Sequence, residues 1–218
     1  MKRVTILLNL TAIHIEPIEN RRKKGDCLMK GNEKGFTLVE ISIVLVIIGL
    51  LIGGVLKGQS IIRNAQTKRI VQSADELRAA IYTFYDRYGV FPGDESNTAI
   101  PLNDTHEGTT NGRISGGESA MLFEDLTLEG IINGHFDGAG NDSYPIHAFG
   151  GIYLASWVNP GGTPSRPGHY IRYDNLPWEV AREIDTKYDD GVYNTGSIRA
   201  NQDYTAANNP IRYFYIPM

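Results

Sequence analysis

The longest uninterrupted apolar segment of the chain runs from Phe36 to Leu56 and contains one ionisable residue, Glu40. A helix of about 20 apolar residues is long enough to cross the hydrocarbon core of a bilayer. Because a carboxylate inside such a helix costs about 2.5–3.5 kcal/mol on insertion scales, Glu40 requires a partner. No basic residue lies within the segment, which therefore predicts a membrane-spanning helix whose acid is satisfied by a group from elsewhere.

The helical pattern continues beyond the apolar segment. Apolar side chains recur at intervals of three and four, as in a helix with one buried face. They are Ile70, Ala74, Leu77, Ile81, Phe84 and Tyr88. Gly89 follows as a candidate C-terminal cap, and Pro92 closes the segment. The sequence therefore predicts a transmembrane helix over 36–57 and its amphipathic continuation over 58–88.

Residues 89–218 predict a globular head. Residues 89–116 are rich in Gly, Asn, Asp, Thr and Pro and are typical of a long loop. Short helices are predicted for Glu118–Leu128 and Pro177–Asp185. Strands are predicted for three segments enriched in aromatic and β-branched residues. These segments are His147–Trp157, His169–Tyr173 and Ile211–Pro217. The predicted fold class is α+β, with a long N-terminal helix packed on a small antiparallel sheet.

The start of the apolar segment resembles the prepilin signature of type IV pilins and type II secretion pseudopilins. The resemblance is carried by Lys34-Gly35-Phe36-Thr37-Leu38-Val39-Glu40 and the apolar residues that follow. It implies a pilin-like fold, cleavage after Gly35 by a prepilin peptidase and methylation of Phe36 as the new N-terminal residue. It also implies that Glu40 meets the N-terminus of an adjacent subunit during assembly. An amine at Phe36 lies four residues from Glu40, a spacing that shares a helix face, but an amine on a second chain serves equally well.

The same resemblance implies a location and partners. The protein would cross the inner membrane once, with its head in the periplasm, or outside the cell when assembled in a pilus. Its partners would be the prepilin peptidase, other pilin or pseudopilin subunits and the assembly platform proteins. Pilus and pseudopilus are both open at this stage. A third alternative is a membrane-anchored binding module that captures DNA or a secretion substrate without polymerising.

Residues 1–35 are predicted to be a leader peptide, with two possible starts. A start at Met1 gives a long leader, whereas a start at Met29 gives the short basic leader that prepilins often have, and we favour Met29. Cys27 is the sole cysteine and precedes the predicted cleavage site, so the mature chain has no disulfide to rely on. Many pilins staple their C-terminal loop with a disulfide, and the departure favours a pseudopilin or a minor pilin.

The charge of the mature chain argues against one class of partner. Subtracting the eight basic and four acidic residues of positions 1–35 from totals of 21 and 25 leaves 13 basic and 21 acidic residues, a net charge of −8. Nonspecific nucleic-acid binding depends on clustered Lys and Arg that displace counterions. Nucleic acid is therefore not a favoured partner.

The sequence does not predict an enzyme. Ser42 and Ser60 have no base nearby, the glycine pairs lack the Lys-Ser/Thr of a phosphate loop, and the histidines are not spaced as zinc ligands. We expect no cofactor, with calcium as the one candidate. Asp185, Asp189 and Asp190 could supply oxygen ligands to Ca²⁺. Asp and Gly residues also form turns, and a turn at the exit of a helix is the favoured interpretation of this segment.

Overall fold

The computed structural model describes residues 35–140, 143–160 and 166–218. The predicted starts of the leader, Met1 and Met29, and Cys27 lie outside the described residues. Contacts between residues divide the chain into two units, with the division between Ile48 and Gly49 inside the first helix. The sheet and the other two helices belong to the second unit.

The first helix, α1, extends over Leu38–Tyr88. The predicted apolar stripe is its buried face from residue 70 onward, since five of the six side chains are at most 5% exposed. The exception is Tyr88, which is half-buried. Gly89 follows with a φ of 74°, and its amide donates a hydrogen bond to the Tyr85 carbonyl at 2.7 Å. The prediction of one long helix that ends at Tyr88 is therefore confirmed, although the helix begins at Leu38 and not at Phe36.

A four-stranded antiparallel sheet lies in the second unit, with the strand order β1-β2-β4-β3. The strands are β1 (Tyr153–Val158), β2 (Gly168–Leu176), β3 (Arg199–Ala200) and β4 (Ile211–Pro217). Two further helices are α2 (Glu118–Leu128) and α3 (Trp178–Tyr188). A long helix with a small antiparallel sheet is the predicted α+β arrangement, which is confirmed.

The buried stripe of α1 shares one hydrophobic core with the sheet. Tyr173 of β2 is fully buried in this core, and its ring stacks on that of Tyr153 with 5.5 Å between centroids. Its hydroxyl donates to the Ile70 carbonyl at 2.8 Å and lies 2.8 Å from the Ser73 hydroxyl. Because a buried hydroxyl needs hydrogen-bond partners, this contact fixes the position of the α1 backbone on the sheet.

The strand predicted over His147–Trp157 was wrong at its start. The Gly150 amide donates to the His147 carbonyl at 2.9 Å, so residues 147–150 form a turn. Gly150 has a φ of 88°, a left-handed conformation that glycine adopts without strain. Ile146 and Ile152 pair across this turn, and β1 begins only at Tyr153. The aromatic and apolar residues around the Gly150-Gly151 pair therefore belong to a tight turn and the strand after it.

The remaining differences concern length. The helix predicted over Pro177–Asp185 runs from Trp178 to Tyr188, and the strand predicted over His169–Tyr173 extends over Gly168–Leu176. The helix α2 and the strand β4 have the predicted bounds. The two-residue strand β3 was not predicted, because it is too short to show a periodic pattern.

Replacing Tyr173 by phenylalanine is expected to lower the free energy of unfolding by about 1 kcal/mol, since it removes the buried hydrogen bond to Ile70 and leaves the ring in place. The matched control is Tyr213→Phe in β4, at a half-buried position, with an expected change of less than about 0.5 kcal/mol. Denaturant unfolding of the purified full chain, followed by near-ultraviolet circular dichroism, measures both. Equal losses in the two variants would contradict the role given to the Tyr173 hydroxyl.

Candidate functional site

Glu40 lies in the first turn of α1 and is hydrogen-bonded to Thr37, the residue just before the helix. Its Oε2 atom accepts hydrogen bonds from the Thr37 amide and the Thr37 hydroxyl, both at 2.8 Å. The Thr37 hydroxyl oxygen in turn accepts the Glu40 amide at 3.2 Å. This reciprocal pair is a capping box, which satisfies two backbone N–H groups that the first helical turn leaves free.

The capping box gives Glu40 a partner within its own chain that the sequence analysis did not identify. The signal was present, because a threonine followed three residues later by a glutamate is the pattern of this cap. Both bonds from Thr37 reach Oε2, so the second carboxylate oxygen, Oε1, is not used by the cap. The same side chain can therefore cap its helix and accept a further donor.

Gly35 and Phe36 precede α1 and are exposed. The Phe36 side chain is 82% exposed, and no other part of the described chain lies within 4 Å of a side chain placed at Gly35. The structure thus leaves the bond between residues 35 and 36 accessible. Accessibility is necessary for cleavage by a peptidase, and the cleavage itself stays a prediction.

The apolar segment of α1 is uncovered along its length. Every large apolar side chain from Leu38 to Leu56 is between 45% and 86% exposed. Among the described residues, α1 alone is long and apolar enough to cross a membrane, judged by length and composition. An exposed apolar surface of this size on a soluble monomer marks a membrane or protein contact.

The structure brings together the three carboxylates of the calcium candidate. One oxygen from each of Asp185, Asp189 and Asp190 lies within 4.8 Å of the others, at the C-terminal end of α3. Each of these carboxylates also accepts hydrogen bonds from nearby residues of the same chain. Asp185 accepts the Gly191 amide at 3.1 Å and the Tyr204 hydroxyl at 2.5 Å.

The other two carboxylates close the loop after α3. Asp189 accepts the amides of Ser197 and Ile198, and Asp190 accepts the Val192 amide at 2.9 Å and the Thr195 hydroxyl at 2.5 Å. The bonds from Thr195 and Val192 lower the pKa of Asp190, so this carboxylate is charged without a metal. These contacts favour the turn interpretation, and calcium binding at this loop stays a prediction.

A second set of acidic residues was missed because the sequence analysis treated residues 89–116 only as a loop. Asp94 and Glu95 in this loop are 1% and 2% exposed, and Asp104 is 6% exposed. Asp94 holds the loop closed, since its carboxylate accepts the amides of Asn111 at 2.9 Å and Gly112 at 2.7 Å. Two acids in the middle of α2, Glu124 and Asp125, are buried as well. The sequence did carry a signal for their burial, because this acidic pair stands between two apolar residues of the helix, Phe123 and Leu126.

Gly93 is the point at which this loop approaches α2. Its φ is 80°, and its amide donates to the Asp125 carboxylate at 2.5 Å. A side chain added at Gly93 would collide with the Glu118 carbonyl and would lie 2.9 Å from the Leu122 amide. The close backbone contact therefore depends on glycine at this position.

Comparison with known proteins agrees with the N-terminal features. Residues 30–56 match the family model described as the prokaryotic N-terminal methylation motif. The chain is 29% identical over 77 residues to the type IV major pilin protein PilE of Neisseria gonorrhoeae, an alignment that covers 35% of this chain and 46% of that protein. A fimbrial protein of Neisseria meningitidis serogroup B matches at the same identity and length, with 45% of that protein covered.

A third relative is covered more fully. The chain is 31% identical over 115 residues to the fimbrial protein EcpC of Eikenella corrodens, across 49% of this chain and 71% of that protein. The chain thus spans a little under half the length of the two Neisseria proteins and over two thirds of EcpC. No solved structure matches the chain. The motif and these relatives show that the chain belongs to the type IV pilin superfamily, which confirms the resemblance.

Replacing Gly93 by alanine is expected to destabilise the chain more than replacing Gly112 by alanine. Both positions have a left-handed φ, 80° and 77°, which costs a non-glycine residue about 1–2 kcal/mol. Gly112 faces open space, so Gly112→Ala loses only the free energy of holding alanine in a left-handed conformation. Gly93→Ala adds a collision with the α2 backbone, and we expect a loss of at least about 3 kcal/mol in the free energy of unfolding. Equal losses in denaturant unfolding would contradict the close packing of the loop on α2.

Proposed function

We propose that the chain is a subunit of a type IV pilus, cut after Gly35 by a prepilin peptidase and methylated on Phe36. The apolar segment anchors the subunit in the inner membrane with its head in the periplasm, and then becomes part of the core of a helical filament. The observation that supports this most strongly is an exposed apolar helix with a single acid in its first turn.

The exposed segment of α1 needs two different environments in turn. Before assembly, lipid covers its apolar side chains, because a span of this length matches the hydrocarbon core. After extraction from the membrane, neighbouring helices must replace the lipid. Gly49, Gly53 and Gly54 leave open surface on α1, since nothing in the described chain lies within 4 Å of a side chain placed there. Small residues of this kind let helices in a membrane approach closely.

Glu40 selects the position of each new subunit. In a single chain its Oε2 atom serves the cap on Thr37, while Oε1 is available to a cation. Cleavage after Gly35 produces an ammonium group at Phe36, and an ammonium on an adjacent subunit pairs with the Glu40 carboxylate. Since an unpaired charge in an apolar environment is costly, the correct register is the one in which every acid meets an amine.

A pilus is favoured over a type II secretion pseudopilus because the relatives are a type IV major pilin and fimbrial proteins. The proposed partners are the prepilin peptidase, other subunits of the filament and the assembly platform of the inner membrane. The proposed role is structural. A membrane-anchored binding module that does not polymerise is the outcome to exclude by experiment.

Variants of the capping box separate assembly from helix capping. Glu40→Gln keeps a side chain that can complete a capping box and removes the charge. Thr37→Val has nearly the same shape as the native residue, removes the capping hydroxyl and keeps the charge, at a cost of about 1 kcal/mol to the helix end. We expect Glu40→Gln to reduce the filament fraction sheared from native cells at least tenfold, with normal amounts in the membrane. Thr37→Val is expected to assemble within about twofold of the native protein.

The opposite pattern would overturn the assembly role. If Glu40→Gln forms filaments normally while Thr37→Val and Glu40→Ala do not, then Glu40 acts as a cap alone. If none of the three variants changes the amount of filament, Glu40 has no part in assembly. If the native chain is processed and never appears in sheared filaments, it is not a subunit of a surface pilus, and the pseudopilus and the binding module are the remaining alternatives.

A further inference from the structure

Three carboxyl groups meet where the loop after α1 packs on α2. Glu95 and Asp104 come from the loop and Asp125 comes from α2, and they are 2%, 6% and 0% exposed. One oxygen from each group lies within 4.8 Å of the other two. Buried acids of like charge at this distance repel one another unless a proton or a cation lies between them.

Four of the six oxygens in this cluster have no hydrogen-bond partner among the described residues. They are both oxygens of Glu95, Oδ2 of Asp104 and Oδ1 of Asp125. The other two oxygens accept backbone amides, from His106 at 3.1 Å and from Gly93 at 2.5 Å. Buried polar atoms are nearly always hydrogen-bonded, so four buried oxygens without a donor in one cluster point to a missing partner.

The buried acids next to this cluster do have hydrogen-bond donors, so the lack of donors is particular to the cluster. Glu118 is also buried, but both of its oxygens accept bonds from Thr109 and Ser115, at 2.8 Å to 3.2 Å. Glu124 accepts the Thr105 hydroxyl and pairs with His106, each at 2.7 Å. The loop therefore satisfies its other buried carboxylates from its own donors and leaves only Glu95, Asp104 and Asp125 short of donors.

A single shared proton does not complete the cluster. Burial raises the pKa of Glu95, and burial together with the charge of Glu95 raises the pKa of Asp125. A proton can join these two groups, but it bridges only two oxygens. A cation can bind oxygens of all three groups: oxygens bound to one Ca²⁺ at about 2.3–2.6 Å lie at most about 5 Å apart, and one oxygen from each group lies within 4.8 Å of the other two.

We propose that Glu95, Asp104 and Asp125 bind a calcium ion that ties the loop after α1 to α2. Glu95 binds through both oxygens, and Asp104 and Asp125 bind through one oxygen each. Hard cations such as calcium prefer a donor set of carboxylate oxygens, and a two-oxygen Glu ligand suits calcium better than the smaller magnesium ion. This site is separate from the loop of Asp185, Asp189 and Asp190, and it does not depend on the proposed role in a filament.

The test uses the full chain in detergent, stripped with EDTA and then freed of the chelator. Isothermal titration with CaCl₂ should show one calcium ion per chain. Calcium at a hundred times its dissociation constant should raise the melting temperature by about 5 °C or more. Glu95→Gln should abolish both the binding and the shift. The matched control is Asp190→Asn, which changes the other acidic cluster and should keep both.

The metal-free proteins provide a second readout. Glu95→Gln replaces one of the three acids by a neutral amide that can donate to the other two, so without calcium it should melt at the same temperature as the native chain or higher. If this variant does not fold, Glu95→Asp keeps the charge, shortens the reach and should weaken calcium binding at least tenfold. The proposal is overturned if the native chain binds no calcium up to about 10 mM, above the range typical of extracellular calcium modules. It is equally overturned if Asp190→Asn abolishes binding, or if Glu95→Gln binds calcium as tightly as the native chain.

Discussion

The proposed assembly of this protein depends on which hydrogen-bond donors and charges partner one carboxylate at the start of an apolar helix. Glu40 precedes a segment in which every large side chain is apolar and exposed. A charge in that position is costly in lipid and equally costly in a dry helix bundle. Thr37 provides two donors from the same chain and leaves one oxygen of Glu40 available. In the proposed function, that oxygen makes the register between subunits specific.

The N-terminal features were predictable because they are local. The apolar segment, the stripe of α1 and the end of the helix at Tyr88 each follow from the identity of residues a few positions apart. The helix α2 and the strand β4 were also located correctly by periodicity and composition. The turn at Gly150 was missed, because aromatic residues on both sides of the glycine pair resemble a single strand. Turn formation there depends on a left-handed glycine.

The acidic residues of the loop after α1 could not be predicted in the same way. Glu95, Asp104 and Asp125 are separated along the sequence and meet only when the loop folds back on α2. Composition alone marks Asp and Glu residues in a Gly-rich loop as exposed, whereas Glu95 and Asp104 are buried. Conversely, Asp185, Asp189 and Asp190 are close in sequence and in space, yet they are occupied by the donors of their own loop. Proximity in the sequence was therefore a poor guide to which carboxylates lack partners.

The most direct test of the central claim is the mass of the chain isolated from the membranes of its native cell. An amine next to Glu40 exists only if the bond between Gly35 and Phe36 is cut. The account predicts a mature chain that begins at Phe36 and carries one added methyl group on that residue. A mass that shows residues 35 and 36 still joined would contradict it.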